Sequence, residues 1–370
     1  MKVQRVQVPG AEHPSWLVLD DHSLPIAPIL AFLKFLDNLG RSPHTIRTTA
    51  YHLKLFWEFL RDEKLAWTDL DVAHLAAFVG WLRLPDPHFI QLPASEARRT
   101  DATIDQILTA IHSFYDFQMR LKTVPDVPLY HFLMVPNRRY KSFLHGFVKA
   151  KPVQSRIVKV KREQRQVKTL THEQVAQLIE ACARIRDKFL LTLLYETGMR
   201  IGQALGLRHE DIRLEDQGIA IVPRDANANG ARAKSRRSYV VPDIAPAVMK
   251  LYTDYLVEDL GALEVVALPD FVFVNLWEGE IGRPMTYETV MSLIRRLRKK
   301  TGIPVTPHLF RHTRATTWLR DDHLSLETTA HLLGHASIQT THDTYIHLTT
   351  QDVRNELQAS RSRKAGPHEA

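Results

Sequence analysis

The sequence predicts a mainly α-helical protein of two domains: a helical bundle followed by an α+β domain with a small antiparallel sheet. Apolar residues recur at helical spacing through most of the chain, and β-prone segments occur only between residues 219 and 274. The 370 residues, 44% of them hydrophobic, are enough for two or three domains that each bury a core.

The first half predicts a short extended arm, residues 1–23, and then a helical domain over residues 24–148. Its helices are expected at Ile29–Leu39, Ser42–Glu63, Val72–Leu84 and Thr100–Leu121. The second helix has the best specified start, because Ser42 supplies a capping oxygen and Pro43 has a φ angle already suited to the first helical position. Its apolar residues, such as Ile46, Leu53 and Leu60, follow the 3.6-residue period.

Residues 149–168 form a basic segment that predicts a linker between the domains. They contain eight Lys or Arg and one acid, for a net charge of +7 out of +8 for the whole chain. The eight cations are Lys149, Lys151, Arg156, Lys159, Lys161, Arg162, Arg165 and Lys168. A solvated linker would account for this run, but further basic clusters at 231–237 and 295–300 favour contact with a polyanion, most simply the DNA backbone.

The second half, residues 169–370, predicts helices around a few short strands. A capping box from Thr171 to Gln174 opens the first helix. Strands are expected at Ile219–Pro223, Ser238–Val241 and Phe271–Val274. Further helices are expected at Asp187–Tyr195, Ile244–Leu260, Tyr287–Lys300, Leu309–Arg320, Glu327–Leu333 and Asp352–Gln358.

Composition excludes several classes of protein. The single cysteine, Cys182, rules out a disulfide framework and a cysteine-based zinc site, and it is typical of a reducing compartment. The longest apolar runs, Val72–Leu84 and Leu263–Trp277, are shorter than a bilayer span, and the first residues lack a signal-peptide pattern. We therefore expect a cytoplasmic protein without a membrane partner.

Five places in the second half carry side chains suited to handling a phosphodiester. Taken singly, each could be a surface charge or a packing residue. His308 and Arg311 are three residues apart and therefore share one helical face, where an imidazole and a guanidinium can meet the same anion. The full set of candidate catalytic residues is Arg200, Lys234, His308, Arg311, His335 and Tyr345.

These segments resemble the tyrosine recombinase, or phage integrase, family. The first box is TGMRIGQALGLRHEDI, with Arg200; the second is His308-Leu-Phe-Arg311; the third is Leu333-Gly334-His335; and the nucleophile box is Thr344-Tyr345-Ile346-His347-Leu348. Lys234 precedes Pro242 by eight residues, which is similar to the position of the family's catalytic lysine. The resemblance is strong over residues 171–349 and weaker over 42–60, which resembles the family's SAM-like core-binding domain.

Two departures from the family pattern bear on the site. Gln203 occupies a position where the family often has Glu, which puts a supporting salt bridge in doubt. His335 and Tyr345 are ten residues apart, where many members have nine, and the form TTHDTYIHL is most similar to recombinases of mobile elements.

The resemblance implies a site-specific recombinase that breaks and rejoins double-stranded DNA. Tyr345 would attack a phosphate to form a 3′-phosphotyrosyl bond, with His308 as proton acceptor and Arg200 and Arg311 on the non-bridging oxygens. Lys234 would protonate the leaving 5′-oxygen, and His335 would contact the phosphate or orient the tyrosine. It also implies no cofactor, a homotetramer on paired sites, accessory or sister recombinases, and a place at the nucleoid.

Three alternatives remain open at the level of sequence. A type IB topoisomerase shares the chemistry but relaxes DNA without exchanging strands between sites. A zinc hydrolase could use the pairs His308/His312 and His331/His335, each four residues apart on a helix. A DNA-binding regulator without activity would have the same basic segments, although the tyrosine favours an enzyme.

Overall fold

The computed structural model describes residues 1–7, 14–84, 99–125, 129–133, 153–160, 167–224, 227–233, 237–263, 270–277, 279–335 and 337–345. The chain divides into two compact units, Met1–Gln164 and Arg165–Ala370. Each unit has its own hydrophobic core and is described by itself.

The first unit contains the four predicted helices, with ends that differ by at most two residues from the prediction. They are α1 (Ala27–Asn38), α2 (Pro43–Asp62), α3 (Val72–Arg83) and α4 (Asp101–Arg120). The Ser42 hydroxyl accepts a hydrogen bond from the backbone N–H of Thr45 at 3.2 Å, so the predicted cap of α2 is present.

Aromatic side chains from three helices fill the core of this unit. Phe56 packs edge to face on Phe78 and Tyr115, with ring centroids 5.1 and 5.9 Å apart. Trp57 makes a similar contact with Phe114 at 5.3 Å. Edge-to-face packing is the favourable arrangement for such rings, so α2, α3 and α4 are held as one bundle.

Two antiparallel strand pairs add to the bundle; three of their strands lie where the sequence predicted extended chain, and β3 lies in the domain predicted to be helical. Strand β1 (Lys2–Val6) pairs with β2 (Ser15–Leu19) in antiparallel register, and Val18 and Leu19 are buried. Strand β3 (Tyr130–Leu133) pairs with β4 (Val153–Arg156), which lies inside the predicted basic linker. Val160 is buried in the core of the first unit, so this part of the basic segment packs onto the bundle.

The second unit is mainly helical, as predicted. Its helices are α5 (His172–Glu180), α6 (Ile185–Thr197), α7 (Ile201–Ala204), α8 (Pro246–Asp254), α9 (Tyr287–Thr301), α10 (Pro307–Arg320), α11 (Leu326–Leu332) and α12 (Ile338–Tyr345). The Thr171 capping box of α5 is present. The short helix α7 follows Gly198, where the sequence predicts that one helix ends and a new helical turn begins. Helix α12 was not predicted, and the predicted helix Asp352–Gln358 lies outside the described residues.

A three-stranded antiparallel sheet accompanies these helices, in the order β5 (Ile212–Arg213), β6 (Gly218–Ile221) and β7 (Tyr239–Val241). The predicted strand Phe271–Val274 is wrong. Its residues are buried, and its backbone bonds to neighbours on both sides, such as Val272 N–H to the Leu207 carbonyl and Met285 N–H to the Phe273 carbonyl. This pairing is limited to isolated bridges to Arg208 and Pro284, because neither neighbouring segment continues as a strand. Within the described residues, no helix combines the length and apolarity needed to cross a membrane.

Candidate active site

Four segments of the second unit converge on one site. They are the end of α6 at Gly198, helix α10, the turn after α11 at residues 333–335, and helix α12. Hydrogen bonds from Arg311 of α10 join the first three, and His335 and Tyr345 tie in the fourth. Residues far apart in sequence are thereby placed around a single guanidinium.

Arg311 is the centre of the site and is only 1% exposed. Its Nη1 donates to the carbonyl of Gly198 at 2.8 Å, and its Nη2 donates to the carbonyl of Leu333 at 2.9 Å. Burial, together with the nearby Arg200, lowers the pKa of Arg311 to about 10, so the side chain is still charged at neutral pH. Among the described residues Arg311 has no ion pair with a carboxylate, which leaves a buried positive charge available to an anion.

His335 is a neutral acceptor that connects Arg311 to α12. Arg311 Nη2 lies 2.7 Å from His335 Nε2, and a guanidinium can only donate, so Nε2 carries no proton. Nδ1 then carries the proton and donates to the hydroxyl of Thr341 at 2.7 Å. Burial, and next the positive charge of Arg311, lower the pKa of His335 to about 4, which agrees with the neutral form.

Tyr345 lies at the end of α12, one helical turn after Thr341, and both residues are buried. Its Oη lies 2.9 Å from Nδ1 of His312 on α10. Burial raises the pKa of the Tyr345 phenol above its usual value, although Arg311 and Arg200 act in the opposite direction. The phenol is therefore protonated at neutral pH and needs an acceptor before it can act as a nucleophile.

Arg200 sits at the start of α7, where a network of neutral groups fixes the backbone. Gln203 Oε1 accepts from the Arg200 backbone N–H at 2.7 Å, and Gln203 Nε2 donates to the Tyr239 hydroxyl at 3.0 Å. A glutamate could not make the second bond as a donor, so Gln203 replaces the expected salt bridge with two hydrogen bonds. Arg200 is near enough to lower the pKa of Arg311 and of His335.

Tyr239 also explains a glycine in the third motif. Gly334 has a φ of +61°, and a Cβ atom added there would lie 2.7 Å from the ring of Tyr239. A side chain at this position would both strain the backbone and collide with the ring. Gly334 thus lets the 333–335 turn bring His335 against Arg311.

The loop that precedes Lys234 is tied to the site by asparagines. Asn229 Nδ2 donates to the carbonyls of Leu205 and Met285, at 2.9 and 2.8 Å. Asn227 Nδ2 donates to the carbonyl of Ala231 at 2.8 Å. Residues 227–233 are therefore fixed beside α7, while Lys234 itself lies outside the described residues.

The structure brings together five of the six predicted catalytic residues: Arg200, His308, Arg311, His335 and Tyr345. His308 is exposed on the first turn of α10, with its ring centroid 4.3 Å from that of His312. The residue of α10 that bonds the Tyr345 hydroxyl is His312, for which the sequence predicts no role in recombination. His312 follows Arg311 directly in the second motif, but only the fold reveals that it faces Tyr345.

The basic segment is described only in part. Arg156 donates to the hydroxyl of Thr109 at 2.9 Å and lies 3.7 Å from Asp105. Lys159 contacts Ser155, and Lys168 is exposed. The other five predicted DNA contacts, Lys149, Lys151, Lys161, Arg162 and Arg165, lie outside the described residues.

The zinc-site alternative conflicts with the contacts of His335. Both ring nitrogens of His335 are engaged, one by the cationic Arg311 and the other by Thr341. Over the part of the chain that the structure describes, no three His, Cys, Asp or Glu side chains are grouped as metal ligands. The pair His331/His335 therefore does not form a cation site here.

Comparison with known proteins identifies the family to which the chain belongs. The model of the Phage integrase family matches residues 168–352, and that of the phage integrase N-terminal SAM-like domain matches residues 29–122. Transposase A from transposon Tn554 of Staphylococcus aureus is 40% identical over 98% of this chain and 99% of its own length. This chain is a tyrosine recombinase.

Other relatives of this recombinase agree with the assignment. Tyrosine recombinase XerD of Halalkalibacterium halodurans is 28% identical over 70% of this chain and 75% of its own length. The Tn1549 transposon integrase, solved in complex with a circular intermediate DNA, has the same fold with a TM-score of 0.63 at 16% identity, covering 90% of this chain and 99% of that chain. The predicted family, fold class and DNA strand-exchange activity are confirmed.

Proposed function

We propose that this recombinase moves a mobile DNA element by cutting and rejoining DNA at specific sites, with Tyr345 as the nucleophile. The observation that carries the proposal is the charge of Arg311, which is buried without a carboxylate within the described residues and lies in the same site as the Tyr345 hydroxyl. The likeness to a transposase over nearly the whole chain supports the role in a mobile element.

The scissile phosphate supplies the negative charge that the site lacks. Arg311 and Arg200 would hold its non-bridging oxygens and stabilise the charge that grows on them in the transition state. Arg311 is 1% exposed and Tyr345 is 8% exposed, so a phosphate can reach both only after a local opening of the site. We infer that DNA binding provides this opening through the contacts of α12.

His335 would act mainly by orientation in this mechanism. Its Nε2 accepts from Arg311, and its Nδ1 donates to Thr341, four residues before the nucleophile. The imidazole thus sets the guanidinium and α12 at fixed positions, which supports the second of the two roles expected from the sequence. Positioning of this kind supplies catalysis by reducing the entropy lost on the way to the transition state.

The leaving 5′-oxygen needs a proton, and Lys234 is the proposed donor. An arginine cannot give up a proton at neutral pH, whereas a lysine can, so Lys234 is preferred over the arginines of the same loop. The asparagine contacts of residues 227–233 support this role. They hold the backbone just before Lys234 beside α7, the helix that begins directly after Arg200. The phosphotyrosyl bond conserves the energy of the phosphodiester, so no cofactor is needed for rejoining.

Strand exchange between two sites requires more than one copy of this active site. We therefore propose a homotetramer on paired duplex sites, acting at the nucleoid in the cytoplasm and assisted by accessory or sister recombinases. Relaxation of supercoiled DNA without any specific site would instead indicate a topoisomerase-like enzyme.

The role of Tyr345 is tested by the variant Tyr345→Phe. The substrate is a duplex that the protein selects from a random-sequence pool, nicked so that the cleaved fragment diffuses away. We expect the wild type to form an SDS-stable DNA adduct and Tyr345→Phe to form none while binding the same duplex within a few-fold. An adduct of the Phe variant, or a wild-type adduct mapped by mass spectrometry to another residue, would contradict the assignment.

The basic segment 149–168 is proposed to contact the DNA backbone. Neutralising its cations should flatten the dependence of log K on log[salt] by about 4 if half of the eight contact phosphates, at about 0.9 for each. Arg156, which contacts Thr109 and Asp105, should contribute less than the exposed Lys168. DNA binding measured across a salt series for the single variants Arg156→Gln and Lys168→Gln checks this order. If neutralising the whole segment left the slope unchanged, the segment would be a linker without DNA contacts.

A further inference from the structure

We propose that His312 is the catalytic group that takes the proton of Tyr345 during cleavage and returns it during rejoining. This inference rests on the proposed function of Tyr345 as the nucleophile. It assigns to α10 a proton acceptor different from His308, the residue that the sequence favoured.

The geometry provides a direct proton path. His312 Nδ1 lies 2.9 Å from Tyr345 Oη, which is a hydrogen-bonding distance, and the two ring centroids are 5.5 Å apart. His312 is half-buried, and its helix is fixed because the neighbouring Arg311 bonds two carbonyls on other segments. The acceptor is therefore held against the nucleophile before any DNA is present.

The surroundings of His312 keep its imidazole neutral. Burial, then His308 one turn earlier on α10, then Arg311 lower the pKa of His312 to about 4. The groups that face it from the packed elements are His308 and Arg311 on α10 and Tyr345 on α12, with His335 and Arg200 nearby. A neutral imidazole has one accepting nitrogen, and with the phenol as donor that nitrogen is Nδ1.

The phosphate would supply the missing driving force. Its negative charge, placed between Arg311 and His312, offsets the positive neighbours that disfavour protonation of the imidazole. A site that holds the acceptor neutral without DNA and makes it more basic with DNA couples ionisation of Tyr345 to substrate binding. Unproductive ionisation of the buried phenol is thereby avoided.

The step balances in both directions. In cleavage the O–H bond of Tyr345 breaks, its proton passes to His312 Nδ1, and Oη forms a bond to phosphorus as the bond from phosphorus to the 5′-oxygen breaks. The 5′-oxygen takes a proton from the general acid, proposed to be Lys234. In rejoining, a 5′-hydroxyl gives its proton to that acid, and His312 returns the stored proton to Oη.

His308 provides a matched comparison on the same helix. Its ring lies edge to face with that of His312 at 4.3 Å, and it is exposed, while His312 is half-buried. Loss of a proton acceptor and loss of a positioning contact both slow cleavage. Only loss of the acceptor is repaired by making the nucleophile more acidic.

The experiment therefore combines His312→Gln with replacement of Tyr345 by a trifluorotyrosine, whose phenol is ionised near neutral pH. The assay is adduct formation on the selected nicked duplex, with folding checked by thermal melting and binding to the intact duplex. With tyrosine, His312→Gln should slow cleavage by about 10²–10⁴-fold. With fluorotyrosine, the variant should come within about tenfold of the matching His312 protein, since no proton has to be removed.

Three results would overturn the proposal: an unchanged rate in His312→Gln, a slowed rate that fluorotyrosine does not restore, or restoration in His308→Gln but not in His312→Gln. The last result would return the role to His308. A second variant, His312→Asn, controls for a local packing defect of the glutamine side chain. Fluorotyrosine should restore its cleavage rate in the same way. Absence of any adduct in the wild type would instead count against Tyr345 as the nucleophile.

Discussion

Two arginines in the second unit are buried to nearly the same extent but have opposite surroundings. Arg186 is 2% exposed, and its Nε and Nη2 donate to Oδ1 of Asp187 at 2.9 and 2.6 Å. Its Nη1 donates to the carbonyl of Val274, and the guanidinium lies 4.3 Å from the ring of Trp277. Arg311 is 1% exposed and contacts two carbonyls and a neutral imidazole, with no carboxylate partner in the described ranges.

The difference separates a structural charge from a functional one. A buried ion pair is self-sufficient, because each charge compensates the other. A buried guanidinium held by neutral acceptors keeps an unsatisfied positive charge, which costs stability unless an anion arrives. Arg186 therefore belongs to the core of the fold, whereas Arg311 is the place where we propose that the DNA phosphate completes the site.

The largest expected contrast is in stability. Arg186→Met should lower the free energy of unfolding by about 3–5 kcal/mol, because it leaves the Asp187 carboxylate buried without its partner. Arg311→Met should cost less, about 1–3 kcal/mol for the unpaired carbonyls of Gly198 and Leu333, reduced by removal of a buried charge. Urea unfolding of both variants measures this difference in stability. An equal or larger loss of unfolding free energy in Arg311→Met would contradict the distinction between a structural Arg186 and a functional Arg311.

A smaller contrast is expected in pH dependence. His335 has a folded pKa of about 4 against 6.5 for the ordinary side chain, so the unfolded chain binds more protons between these values. Its contribution to stability is thus present above pH 6.5 and is lost as the pH falls towards 4. Arg311→Met should raise the His335 pKa part of the way, because burial is the largest cause of the shift and Arg311 the second.

Histidine resonances followed by NMR through a pH titration check this prediction. Arg186→Met serves as the control, since Arg186 is not among the groups that shift His335. If His335 titrated at the same pH in the wild type and in Arg311→Met, the electrostatic link between the two residues would be wrong.

Helices with strong local signals could be predicted from the sequence. Ser42 and Thr171 cap α2 and α5 as expected, and the apolar period of the bundle helices agrees with their buried faces. Elements that depend on partners distant in sequence could not be predicted in this way. The β1–β2 pair is stabilised by burial against α2, and Phe271–Val274 has strand composition but forms only isolated bridges to the segments beside it.

In the site, too, features set by local sequence could be predicted and features set by distant contacts could not. The motifs predicted which side chains lie close together, including Arg200, Arg311 and Tyr345, because each motif is local in sequence. The contact between His312 and Tyr345 joins positions 33 residues apart, and the burial of Arg311 depends on carbonyls of two other segments. Pairings of this kind arise only from packing, so the sequence alone could not predict that His312 contacts the Tyr345 hydroxyl.

In the proposed mechanism, Arg311 acts by compensating the negative charge of the scissile phosphate. The most direct test replaces one non-bridging oxygen of that phosphate by a methyl group, which removes the charge and keeps the shape. On the normal duplex Arg311→Met should slow cleavage by about 10²–10³-fold. On the neutral methylphosphonate most of this defect should disappear, while Tyr345→Phe should form no adduct on either substrate. An equal defect of Arg311→Met on both substrates would contradict the claim.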